Sequence, residues 1–70
     1  MTADEVIAFL NDWKADDPSH REYNIHRLIS GRYRVSMTVM AGSEFTPHSG
    51  SGETLEEAFT AAIAAFSSTA

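Results

Sequence analysis

"YRVSMTV", Tyr33 to Val39, alternates without a break: Tyr33, Val35, Met37 and Val39 carry apolar bulk, while Arg34, Ser36 and Thr38 between them are polar. A period of two over seven residues marks a strand with one dry face and one wet face. Upstream, "YNIHRLI" (Tyr23–Ile29) repeats the pattern less cleanly. Tyr23, Ile25 and Ile29 share one parity, and Asn24, His26 and Leu28 share the other. The link "LISGR" decides how the two strands meet. A three-residue turn with Gly31 in the left-handed position, a G1 bulge, sets Ile25 against Val35 and Tyr23 against Met37. A two-residue Ser30–Gly31 turn would instead carry Asn24 and His26 into the core. Burial of apolar surface favours the bulged hairpin.

Beyond this hairpin, "AGSE" reads as a second turn into "FTPHS", a short third strand. Pro47 has no N–H to give a ladder, which places that strand at an edge. Two registers are open. A two-residue Gly42–Ser43 turn sets Phe45 beside Met40 on the outer face, and a three-residue turn sends Phe45 into the core; the second is the expectation here.

Helices flank the strands. "TADE" is a capping box, with Thr2 as N-cap and Glu5 reaching back to its N–H. Val6, Phe9, Leu10 and Trp13, with Ile7 beside them, form an apolar stripe from about Ala3 to Lys14, ended by Asp17–Pro18. At the other end "TLEE" repeats the capping box with Thr54 and Glu57. Leu55, Ala58, Phe59, Ala62, Ile63 and Phe66 make the second stripe, to about Phe66, with "SSTA" fraying after it. Ala61, Ala64 and Ala65 favour helix and allow close approach of another surface. The order is α-β-β-β-α, an α+β fold of two layers: both helices on one face of a three-stranded antiparallel sheet. The other sheet face is open, with Asn24, His26, Leu28, Arg32, Arg34, Ser36, Thr38 and Met40 on it.

Seventy residues make one domain, 1–70, with a thin core. There is no cysteine, so disulfides and thiolate metal sites are excluded. "MTADE" is acidic where a targeting segment is basic, and no apolar run approaches the length of a membrane span. A cytoplasmic setting without membrane contact is the expectation. The net charge of −5 is laid out in blocks. Residues 1–22 carry −4, residues 23–43 carry +3 through Arg27, Arg32 and Arg34, and residues 44–70 carry −4. Taken singly, such charges are ordinary solvated surface.

In its order of elements, and in the lead "GSGETLEEAFTAAIAAF" into an alanine-rich last helix, the chain resembles the double-stranded-RNA-binding domain family. The resemblance implies this fold, and a lysine cluster gripping phosphate from the first turn of that helix. The matching positions here are Leu55, Glu56 and Phe59, with Glu57 between them, and the family's long, histidine-bearing first hairpin loop is reduced to "ISG". Nucleic-acid affinity comes chiefly from neutralising phosphates, which glutamates oppose. The expectation is the fold without the RNA function. Glu56 and Glu57 suit the helix dipole, and Glu53 crowds the position a nucleotide phosphate would take.

Catalysis and cofactors are not expected. His26 and His48, one strand to either side of the central strand, stand roughly 9–10 Å apart, too far for shared zinc ligation, and with His20 they read as exposed or hydrogen-bonded side chains. No nucleophile elbow is present, and the carboxylate pairs Asp16–Asp17 and Glu56–Glu57 sit at exposed ends. What remains is surface. An acidic side formed by Asp4, Asp12, Asp16, Asp17, Glu53, Glu56 and Glu57 would bind a protein with a basic surface. In size and charge the chain resembles the small acidic inhibitors that phages encode against host nucleic-acid machinery, of the anti-CRISPR and anti-restriction kind, which would place it in the host cytoplasm. Alternatives are a homo-oligomeric module and a duplex-RNA binder using the basic hairpin. The homo-oligomer would join through the sheet or the alanine side of the last helix, and the RNA binder would use Arg27, Arg32, Arg34, Arg21 and Lys14. The open sheet face, with His26, Leu28, Arg32, Arg34 and Met40, is the other candidate partner surface.

Overall fold

A computed structural model describes residues 1–68. Its elements are α1 (Ala3–Asp16), β1 (Arg21–Arg27), β2 (Tyr33–Ala41), β3 (Glu44–Gly52) and α2 (Leu55–Ser68), and the sheet order is β1-β2-β3, antiparallel throughout. Both helices pack on one sheet face, so the expected two-layer α-β-β-β-α arrangement is what the chain adopts.

The β1–β2 hairpin has the bulged form. Ile25 pairs with Val35 and Tyr23 with Met37. Gly31 N–H closes a turn onto Leu28 O at 2.9 Å, and Gly31 itself sits at φ +87°. Leu28 N–H donates to Arg32 O at 2.7 Å, and Met40 N–H donates to His20 O at 2.8 Å. Even-numbered residues therefore bond β2 at both ends of β1. In an antiparallel ladder the alternation continues between them, so Arg21, Tyr23, Ile25 and Arg27 turn their main-chain groups to the free edge. The same alternation leaves the odd-numbered residues of β3 facing its own free edge. Pro47 is one of these, and its missing N–H costs the sheet nothing.

Two expectations for β3 fail. The strand is not short: it has nine residues, as many as β2, and it absorbs "SGSG", which the sequence presents as a loop. Nor does Phe45 enter the core. Gly42, at φ +64°, and Ser43 form a two-residue turn, so Phe45 lies opposite Met40 on the outer face and is 65% exposed. That register puts Thr46, His48, Gly50 and Gly52 on the core face instead. The last two explain the choice. A Cβ on Gly50 would fall 2.5 Å from the Ala61 side chain and against the main-chain N of Ala62; one on Gly52 would fall 2.6 Å from the Glu57 Cβ. The glycines let α2 lie directly on β3, and Ala58 and Ala62 are fully buried there.

The core consists of Val6 and Leu10 from α1, Val35 and Met37 from β2, and Leu55, Ala58, Phe59 and Ala62 from α2. Trp13, Tyr23, Ile25, Tyr33 and Ile63 pack around it. His48, expected to be exposed or hydrogen-bonded, is buried at this boundary, edge-on to Phe66 with ring centroids 4.9 Å apart. Both helices run slightly beyond their expected ends, α1 to Asp16 and α2 to Ser68; of the expected frayed end "SSTA", Thr69 and Ala70 lie outside the described residues.

Candidate functional site

The helices run in the same direction. Phe9 meets Phe59 edge-on at 5.3 Å, and Trp13 meets Phe66 edge-on at 6.2 Å, so the pairing advances from N- to C-terminus along both. Their N-termini consequently open at one end of the helix layer. Each is closed by its own glutamate. Thr2 N–H donates to Glu5 Oε1 at 2.9 Å and Glu5 N–H to Thr2 Oγ1 at 3.2 Å. At α2, Glu57 N–H donates to Thr54 Oγ1 at 3.1 Å, but the Glu57 carboxylate reaches Glu53 N–H at 3.4 Å, not the Thr54 N–H that the motif suggests.

Glu5 titrates below its ordinary value, first because of the Thr2 main-chain and side-chain hydrogen bonds and then because of the Met1 ammonium. The sign is that of a depressed carboxylate. Its stabilisation is complete above the ordinary pKa and is lost as pH falls through the lowered one.

The seven acids of the predicted face divide along α1. Asp4, exposed at its first turn, shares the N-terminal end with Glu5, Glu53, Glu56 and Glu57. Asp16 lies twelve residues further, about 18 Å along the helix axis. There it accepts from Arg21 Nη1 at 3.2 Å, while Asp17 meets His20 Nδ1 at 3.0 Å. Asp12 lies between the two groups and is exposed. Of the seven, Asp4, Glu53, Glu56 and Glu57 join Glu5 at the carboxylate-rich end, and Asp12, Asp16 and Asp17 do not. No lysine or arginine occurs in residues 1–13 or 35–70. The cations nearest that end belong to the β1–β2 hairpin, where Tyr33 pairs with Gly52 and Arg34 with Ser51, which brings Arg32 and Arg34 close to Glu53.

At the C-terminal end of α1, basic side chains tie the helix to β1. Lys14 Nζ donates to Arg21 O at 3.0 Å. Arg21 Nη1 donates to Trp13 O at 2.9 Å, and its guanidinium lies over the Trp13 ring, 5.3 Å from the centroid. The Tyr23 hydroxyl donates to Asn11 Oδ1. An open groove of ≈ 390 Å³ lies here, lined by Phe9, Asp12, Trp13, Asp16 and Arg21. Sequence reasoning missed it, although i, i+3, i+4, i+7 spacing from Phe9 to Asp16 places four of the five on one helix face.

The open sheet face is ordered in cross-strand rows. His26 pairs with Arg34 and Arg34 with Ser51; Asn24, Ser36 and Ser49 form the next row; Met40 and Phe45 close the far end. Leu28 and Arg32 flank the hairpin turn. His26 and His48 fall on opposite faces of the sheet, because Arg34 and Met37, their partners on β2, differ in parity. Phe45 is the member of this surface that the expected register hid.

Comparison with protein-family models, with characterised proteins and with solved structures returned no match. No described helix is long and apolar enough to cross a membrane.

Proposed function

We propose that the chain is a non-enzymatic protein-binding module that presents the acidic end of its helix layer to a basic surface on a partner. The observation that supports this reading is the parallel packing of α1 and α2. It gathers Asp4, Glu5, Glu53, Glu56 and Glu57 from opposite ends of the sequence at one end of the molecule. Glu5 and Glu57 are engaged in capping, which leaves Asp4, Glu53 and Glu56 as the carboxylates to face a partner. Such an end would occupy a lysine- and arginine-lined groove that otherwise holds nucleic acid. Association would be fast and salt-sensitive. This is the mode expected of a small phage-encoded inhibitor of host nucleic-acid machinery.

The arrangement of cations weighs against the RNA-binding alternative. Of five basic side chains, Lys14 and Arg21 are spent on joining α1 to β1, and Arg27 lies over Tyr33 at 5.6 Å. That leaves Arg32 and Arg34 as the uncommitted phosphate contacts, too few for strong backbone binding.

The test is capture on immobilised protein at low salt, with release by added duplex nucleic acid, compared with the variant Asp4→Lys/Glu53→Lys/Glu56→Lys. A nucleic-acid-handling partner held by the native chain and lost by the variant supports the proposal. A partner held equally by both would refute it.

A further inference from the structure

The two edges of the sheet are not equivalent. Along β3 the free side carries Phe45, Pro47, Ser49 and Ser51, and Pro47 interrupts its row of donors, as natural edges do to prevent pairing. Along β1 only the first position is occupied, where Lys14 Nζ takes the carbonyl of Arg21. Among the described residues, the outward N–H and C=O groups of Tyr23, Ile25 and Arg27 have no hydrogen-bond partner.

We propose that this β1 edge is a self-association surface. A second copy of the chain would pair its own β1 antiparallel about a two-fold axis at Asn24, joining two sheets into one of six strands. The sequence of the strand, "REYNIHR", selects a second copy as the occupant because it is complementary to its own reverse. About Asn24, Tyr23 meets the second copy's Ile25, an aromatic against a β-branched residue, and the two-fold axis repeats the contact. Glu22 meets the second copy's His26, again twice. Those two residues belong to the non-hydrogen-bonded phase of the new ladder, where opposed Cα atoms approach to about 4.5 Å.

Arg34 stands directly across from His26 on β2, two strand spacings from the second copy's Glu22, so it adds positive potential behind His26. Among the described residues neither Glu22, His26 nor Arg34 makes an ion pair within its own chain. One like-charged contact, Arg21 opposite Arg27, opposes the pairing. Both guanidinium groups are already drawn aside, Arg21 onto Trp13 and Asp16 and Arg27 over Tyr33.

The chain has no cysteine, so single cysteines report contacts cleanly. Asn24 and Ser49 occupy the same cross-strand row, each opposite Ser36, one on each edge. An axial Asn24→Cys pair would have a Cα separation within the disulfide range. Under mild oxidation Asn24→Cys should form a covalent dimer, with Ser49→Cys remaining monomeric. Sedimentation of the native chain across micromolar to millimolar concentration should show a monomer–dimer equilibrium.

Glu22→Lys and His26→Glu should each weaken that equilibrium about tenfold, since two symmetry-related contacts become repulsive. The double variant Glu22→Lys/His26→Glu should restore it. A native chain monomeric at millimolar concentration, a dimer that Asn24→Cys fails to trap, or a double variant no better than the singles would each overturn the proposal. None of these results bears on the acidic end, whose residues lie outside this interface.

Discussion

Gly50 sits where α2 comes nearest the sheet, and it is there for want of a side chain, not for freedom of its backbone. An added Cβ meets main-chain atoms and a helical alanine, neither of which can rotate away. Gly31 is the opposite case: at φ +87° it has nothing within 4 Å, so only its backbone conformation resists substitution. The two sites should therefore respond differently to the same change. Gly50→Ala is expected to cost about 3 kcal/mol through overpacking, and Gly31→Ala roughly 1–2 kcal/mol through left-handed strain. Urea unfolding of both variants measures the difference. A Gly50→Ala loss no greater than that of Gly31→Ala would mean that α2 does not press on β3.

At the scale of elements, legibility followed chemistry that announces itself locally. The capping boxes, the apolar stripes and the alternation of Tyr33–Val39 lie within a few residues, and the hairpin register follows from requiring Tyr23 and Ile25 to meet Met37 and Val35. The third strand has no such signal. Proline, serines and glycines in Glu44–Gly52 read as loop because the reasons for them are non-local. Pro47 faces a free edge, and Gly50 and Gly52 face a helix not yet made when the strand is read. The acidic surface was partly legible. Its residues could be chosen by charge, but only the parallel helix packing shows which of them share an end.

The same register settles Phe45. Opposite Met40 in an exposed cross-strand pair, it contributes an amount typical of such pairs. Phe45→Ala should lower unfolding stability by about 0.5–1 kcal/mol. A loss of about 3–5 kcal/mol, the cost of a core phenylalanine, would restore the three-residue turn and the buried placement.

For the molecule as a whole, parallel helices align two dipoles, so the positive ends of both meet at one pole and the negative ends at the other. The first pole is heavily compensated: Asp4 and Glu5 occupy the first turn of α1, and Glu56 and Glu57 that of α2. The second is compensated on one helix alone, by Lys14 near the end of α1 and by the Arg21 guanidinium on Trp13 O, since the last turn of α2 carries no basic residue. The asymmetry bears on function. Dipole compensation needs about one carboxylate per helix, and the acidic pole has more than that, with Glu53 added outside the helix. The excess is what the proposed partner surface would use. The deficit at the other pole can be filled independently. Ser67 is exposed in the last turn of α2, and Ser67→Lys should raise stability by about 0.3–1 kcal/mol at low ionic strength. The gain should fade as salt is added, because the interaction is at the surface. Unfolding midpoints of native and variant chains at low and high salt measure it. A salt-independent gain would point to helix propensity instead of the dipole, and no gain at all would mean that the aligned helix ends do not act as a charged pole.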